Sequence, residues 1–500
     1  GLVRKLIAKL HHQNSYLDAS SWTDFYRPNF DLVNSEMTLV YEGKHTKYRG
    51  QATKDNLFKL ELDSKKFQLG ALGQHILNLS TMAMQRVNDT RNVDVEAPLA
   101  SDPLTGYTVR MGKVFKYGEP MGVFAQTYSF LNPITRFNWG VSLMDDIAFN
   151  EKLTMKLGAR YDLFSTKDDR KGGAQNMGYI DYLLRNMQGA AMNFDPINDK
   201  ESGFSFLGVV SYAHSQLLNA SYRFSTGFRV PNTEEKYFQF YSAWPSFIVL
   251  SNRDLKAEKS YNHELEFNGR GKGFGYLLSL YYNQYSDFIE LKQGTLAVKE
   301  PLMQAPKNIS YVKNVNQTSA HLKGFDAALQ LYPGEWIDLL KGFMVSSAFS
   351  YAEGSSSSGM SMLGIQPLTG NIGVEYTDPK ARWQVNIKAN LYFAKPVSQT
   401  TFWDKDAAGK ELIRRYPASF MSNAYTFDAY GYYKVTRNFT VRLGIYNILN
   451  SEYLRWDDLR QLTNPALLSN INYFFQDGKK SLSRFSRPKR YISLALEYKI

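Results

Sequence analysis

The closing stretch of the chain, Lys489 to Ile500, constrains the fold more than any other segment. Ile492, Leu494, Leu496, Tyr498 and Ile500 share one face of an extended strand, and Tyr491, Ser493, Glu497 and Lys499 share the other. Phe439, Val441, Leu443 and Ile445 repeat the pattern against Thr440, Arg442 and Tyr446. So do Trp383, Val385, Ile387, Ala389, Leu391 and Phe393 against Gln384, Asn386, Lys388 and Asn390. A soluble sandwich gives shorter runs. Alternating segments of roughly ten residues, capped by Tyr, Trp and Phe, are the signature of a membrane-spanning β-barrel with one face to lipid and the other to the lumen.

Composition agrees with this. The chain is 43% hydrophobic and has no apolar run near the roughly 20 residues of a spanning helix. A mean hydropathy of −0.39 still permits a barrel, because only alternate residues meet lipid. Aromatic residues make up 15%, as interfacial girdles and ligand-contacting loops would require. Cysteine is absent, which excludes thiolate metal sites, disulfides and a cysteine nucleophile. The net charge of +12 is spread over many strands without a nucleic-acid-binding motif, so lipopolysaccharide phosphates or an anionic ligand are the expected partners and no nucleic acid is.

The expected organisation is a single all-β domain over residues 1–500. Short turns fall at Asn150-Glu151, Ala213-His214-Ser215, Asp378 to Ala381 and Thr436-Arg437-Asn438. Long connections are expected at Ser165 to Gly203, Pro231 to Lys259, Lys292 to Lys307, Glu353 to Gly370, Lys395 to Asn423 and Ser451 to Pro488. Short turns face the periplasm in such barrels and long loops face outward. This threading gives about seventeen strands, the first near Leu2 to His11, and Glu335 to Lys341 as a helical turn. The serine run between Gly354 and Gly359 reads as flexible loop. Gly1 already stands in strand-like sequence, so a fragment is expected, cut from a barrel of the 22-strand type with its first strands upstream.

Several blocks resemble the TonB-dependent outer-membrane receptors, in particular the branch that takes heme or iron from hemoglobin, transferrin or lactoferrin. Gly227-Phe228-Arg229-Val230-Pro231, followed by Glu234, Glu235 and Tyr237, resembles the branch's Phe-Arg-Ala-Pro box. Asn252 to Glu258, with Tyr261, Glu264 and Leu265, resembles its Asn-Pro-Asn-Leu box, with Arg253 and Ala257 in place of two prolines. Leu157 to Asp162, Tyr311 to Leu329, Tyr446 to Asn450, and Arg484-Phe485 with Pro488 add further matches in order. The resemblance implies uptake of heme or ferric iron as cargo, with no resident cofactor. It also implies a lumenal plug upstream of Gly1, the TonB complex as energy source, and a host or carrier protein held at outer loops. The nearest alternative is a ferric-siderophore receptor, and a passive porin or adhesin barrel is a more distant one.

Between the two boxes stand Tyr237, Phe238, Phe240, Tyr241, Trp244 and Phe247, and no histidine. Exposed loop aromatics act as anchors for a partner, so Tyr237, Tyr241, Trp244 and Phe247, together with Arg229, are the expected ligand-binding residues. The competing reading is that these rings pack the loop on the barrel rim. A phenolate of Tyr237 or Tyr241, or His45 from another outer loop, is the remaining donor for a heme iron. His214 reads as a turn residue, and His263 shares the lipid-facing parity of Tyr261 and Leu265. The pairs Asp145-Asp146, Asp168-Asp169 and Asp457-Asp458 form no converging dyad, and no catalytic or metal-ligating spacing stands out, so no enzyme chemistry is expected. Lys479, Lys480, Arg484, Arg487, Lys489 and Arg490 form a basic cluster suited to steering an anionic ligand or binding lipid A phosphates.

Overall fold

The structure is a computed structural model that describes residues 3–31, 36–98, 107–110, 113–116, 124–128, 134–168, 187–190, 196–243, 246–299, 305–405, 411–416, 422–461 and 486–499. Twenty strands share one sheet. Sixteen of them run as a continuous antiparallel meander that forms a β-barrel wall. They are β1 (Val3–Asp31), β2 (Glu36–Ser64), β3 (Gln74–Pro98), β4 (Ile134–Ala148), β5 (Leu153–Asp168), β6 (Asn198–Ser215), β7 (Leu218–Arg229) and β8 (Glu258–Gly271). The chain continues through β9 (Phe274–Val298), β10 (Lys307–Leu331), β11 (Phe343–Ser356), β12 (Thr369–Thr377), β13 (Trp383–Tyr392), β14 (Ala424–Lys434), β15 (Phe439–Tyr446) and β16 (Tyr491–Tyr498). No described helix is long and apolar enough to cross a membrane.

The two faces separate as the alternation requires. Leu443 pairs with Leu494 and Val441 with Leu496, and Leu443, Leu494 and Leu496 are 52%, 65% and 64% exposed. A contiguous apolar surface of this kind is stable only against lipid. On the opposite face Arg442 donates to Glu497 at 2.9 Å, Asn390 donates to Asp428 at 2.8 Å, and Ser279 is buried beside Glu264. Leu280 lies on the outer face. His263 is also outward, held by the Tyr222 hydroxyl at 2.8 Å.

The meander has sixteen long strands among the described residues, in line with the roughly seventeen expected from the sequence. Other expectations need correction. The first strand is 29 residues long and does not end near His11. Such a strand reaches about 95 Å, whereas about 9–11 residues cross the hydrocarbon. Beyond the membrane both faces of a strand meet water, so the hydrophobic alternation that marks it disappears. For the same reason His45 lies inside β2, paired with Thr23 and Glu96, and not in a loop. The β6–β7 turn is Gln216-Leu217, because a bulge at His214 keeps the strand going to Ser215. Asp378 to Ala381 and Thr436 to Asn438 are tight turns as expected, with Ala381 at φ 50°. Two short 3₁₀ turns, Pro333–Glu335 and Asp338–Leu340, occupy the expected helical turn.

The serine run is not filler. Ser356 and Ser358 donate to the Glu290 carboxylate at 3.2 and 2.9 Å, and Ser356 is buried. A carboxylate withdrawn from water needs such donors. Asp145 and Asp146 point apart, to His75 at 2.8 Å and Lys156 at 2.9 Å. Asp457 and Asp458 lie side by side in the short helix α2 (Trp456–Gln461), where adjacent side chains diverge.

Candidate functional site at the outer rim

At the end of the barrel that carries the long connections, β7 parts from β6 while its ladder with β8 continues as far as Arg229 and Glu258. Its pairing with β6 stops at Leu207 and Ser225, and from there the Thr226 hydroxyl accepts the Phe206 amide at 2.8 Å in place of a ladder carbonyl. Phe228 then packs against Gly203, where a Cβ would come within 2.6 Å of the ring. Gly203 shares its parity with Asp199 and Glu201, opposite to the exposed Phe204 and Phe206. The end of β7 therefore swings over the lumenal side of β6.

Pro231, which has no amide hydrogen to donate, ends the strand. Asn232 then caps the short helix α1 (Thr233–Tyr237): its side chain accepts the Glu235 amide at 2.7 Å, and Glu235 accepts the Asn232 amide at 2.9 Å. Arg229 binds Glu235 at 2.8 Å and Glu258 at 2.5 Å, tying the end of β7 to α1 and to the start of β8. The arginine of the first box and the glutamate that closes the second are thus one ion-pair network.

Lys236 is 6% exposed, and its ammonium stands 3.0 Å from Glu201 and 3.2 Å from Asp199. Tyr237 beside it is buried with Ile134 and Ile197, and its hydroxyl donates to Asp199. Burial and the neighbouring carboxylate push the Tyr237 phenol far above its ordinary value, so it stays protonated. The Arg253 guanidinium lies 5.9 Å over the same ring.

The chain next makes a short hairpin, Phe240–Ala243 with Ser246–Leu250. Its second strand runs parallel to β10, with Phe247 opposite Ser310 and Leu250 opposite Lys313. Ile248 is fully buried there. Asn252 closes the segment: its amide nitrogen donates to the Asn314 carbonyl at 2.8 Å, and the Asn314 side chain donates to the Glu235 carbonyl at 3.1 Å. The two neighbouring boxes and the remote block around Asn314 meet in this one cap.

The five residues expected to contact a ligand divide as follows. Arg229 and Tyr237 are engaged by carboxylates inside the cap. Phe247 is half-buried in the strand that joins β10. Tyr241 stands in the hairpin opposite Ile248, with its side chain outside the described residues, and Trp244 lies outside them altogether. Lys236, Asp199 and Glu201 were not singled out from the sequence, since a lysine in a short polar segment carries no mark of burial. In the basic cluster, Arg487 pairs with Asp458 at 2.9 Å and Lys489 with Glu452 at 3.4 Å. Lys479, Lys480 and Arg484 lie outside the described residues.

Residues 6–448 match the family model described as TonB dependent receptor-like, beta-barrel. The chain belongs to this family of TonB-dependent receptors. Hemoglobin-binding protein A of Haemophilus influenzae is 26% identical over 74% of this chain and 38% of its own length. Hemoglobin-haptoglobin utilization protein B of Neisseria meningitidis serogroup A is 28% identical over 70% of this chain and 42% of its own. The chain thus spans about two fifths of the length of the curated relatives it matches. Among solved structures, the copper transporter OprC superposes with a TM-score of 0.62 at 15% identity, covering 99% of this chain and 63% of that one. At that identity the likeness establishes the receptor barrel fold alone.

Proposed function

We propose that this chain is barrel wall of a Gram-negative outer-membrane receptor that takes iron or heme from a host or carrier protein and imports it under TonB control. The observation that carries this reading is the rim cap, in which the two boxes typical of the hemoglobin-receptor branch lock together through Arg229, Glu235 and Glu258. Relatives named for hemoglobin and haptoglobin binding support it across about three quarters of the chain. Tyr241, Trp244 and Phe247, between the two boxes, meet the carrier, while Arg229 and Tyr237 hold the hairpin in place. Heme or ferric iron is the cargo. The outer membrane holds no nucleotide energy, so uptake against a gradient requires a mechanical partner. That partner is the TonB complex, acting through a plug in the lumen.

Growth decides the matter. An iron-limited Gram-negative host carrying the full-length receptor is expected to grow on hemoglobin and to lose that growth when TonB is deleted. Growth on a ferric siderophore and not on hemoglobin would move the cargo to that class. Solute passage independent of TonB would make the barrel a passive pore.

A further inference from the structure

The two ends of the barrel use their cations differently. At the outer rim Arg229, Lys236 and Arg487 lie on carboxylates. Lys395, beyond β13 and 3% exposed, donates to the Ile365 carbonyl at 2.7 Å beneath the Trp456 ring. At the end with the short turns, Arg270 and Lys272 between β8 and β9, and Lys380 between β12 and β13, are exposed. None of the three has an ion-pair partner among the described residues. The acids of these turns are mostly engaged: Asp338 pairs with Lys341 at 2.9 Å and Asp378 lies 3.8 Å from Arg382, which leaves Glu335.

Apolar groups stand beside these cations. Three successive turns are tied together there. The Arg270 amide donates to the Gln216 carbonyl at 2.7 Å, the Tyr276 hydroxyl to the Leu217 carbonyl at 3.0 Å, and the Trp336 indole to the Lys272 carbonyl at 3.1 Å. Gly273, at φ 80°, makes room for that indole, since a Cβ there would come within 2.7 Å of the ring. Leu217, Trp336 and Ile337 are each 53% exposed, and Leu339 is 88% exposed. Apolar groups gathered in this way mark an interaction surface. Leu217 adjoins Leu218, which shares the outward parity of Tyr222 and Leu265, so the patch continues the lipid-facing wall. Tryptophan settles at the boundary between membrane and water, and lysine and arginine stems reach from there to phosphates.

We propose that these turns form a binding surface for anionic phospholipid of the periplasmic leaflet. Arg270, Lys272 and Lys380 hold the headgroup phosphates, and Leu217, Trp336, Ile337 and Leu339 lie at the upper acyl chains. The proposal rests on the membrane-spanning wall and on the orientation set by its short turns, not on the cargo. Lipid suits the surface better than an acidic protein does, because the apolar part extends a face already built for lipid.

Fluorescence quenching in vesicles tests this with the full-length receptor. The probes are brominated phosphatidylglycerol and brominated phosphatidylcholine, each added to phosphatidylcholine vesicles, and the Trp336 signal is the difference between wild type and Trp336→Phe. Trp336 is expected to be quenched by both lipids, with phosphatidylglycerol bound at least about fivefold more tightly, the factor that one surface cation supplies. Molar salt should erase the preference. Replacing Arg270, Lys272 and Lys380 together by Gln should abolish it at low salt, and Arg270→Lys with Lys272→Arg and Lys380→Arg should keep it. Trp336 unquenched by either lipid, as when a protein covers it, overturns the proposal. So does equal binding of the two lipids, or a preference that survives the Gln changes. Failure of the wild type to insert into phosphatidylcholine overturns the barrel reading together with the proposal, whereas normal insertion without a preference overturns the proposal alone.

Discussion

Lys236 donates to Glu201 at 3.0 Å from a position almost wholly removed from solvent, and this contact fastens the cap to the lumenal side of β6. Lys236→Met leaves Asp199 and Glu201 side by side without their cation. Breaking a buried pair costs roughly 3–5 kcal/mol, and the partial exposure of Asp199 places this case near the lower end. The barrel is expected to assemble with α1 and its hairpin released. Limited proteolysis should then cut between Arg229 and Glu258 far faster than in the wild type, and an unchanged cleavage rate would refute the fastening role.

Leu443 and Leu494 face each other on the outer wall, and Ala495, next to Leu494, faces the lumen opposite Arg442. Leu494→Arg should cost about 2–4 kcal/mol of folding stability in a bilayer, and Ala495→Arg far less. Folding titrations into lipid vesicles measure both. Equal costs would contradict the assignment of the two faces.

The membrane-spanning part of the wall was legible in the sequence because lipid imposes a period of two on strands such as β13, β15 and β16. That constraint ends at the membrane surface, which is why the alternation marks only part of the 29-residue β1 and why nothing in the sequence around His45 marks a strand. The boxes around Arg229 and Asn252 announced themselves by their order. Their junction did not, because Arg229 meets Glu258 and Asn252 meets Asn314 only after β7 has left β6, and no sequence pattern records that departure. Lys236 and Lys395 were invisible for a related reason. A lysine is read as solvated unless its partners are known, and Asp199, Ile365 and Trp456 are remote in the chain.

The sequence between the boxes carries Tyr241, Trp244 and Phe247. Anchor aromatics at protein interfaces typically cost more than 1 kcal/mol each on truncation. Replacing all three by Ala in the full-length receptor should therefore weaken carrier binding at least about tenfold, with normal surface expression. Binding assays on intact cells separate the outcomes: unchanged affinity at normal expression would mean that these rings pack the rim and nothing more.

Burial pushes the Lys395 ammonium down from 10.5 to about 8. Between these values the unfolded chain holds a proton that the folded chain has released, so stability rises with pH across this window. Below pH 8 the folded state bears the whole cost of the buried charge, and above 10.5 that cost is gone. The wild type is therefore expected to gain stability relative to Lys395→Met as pH climbs from 8 towards 10.5. Subtracting the variant removes the titration of tyrosines and other lysines common to both. Denaturation midpoints of the two proteins measured at steps across this range provide the check, and parallel curves would show that the Lys395 ammonium is not destabilised by its surroundings.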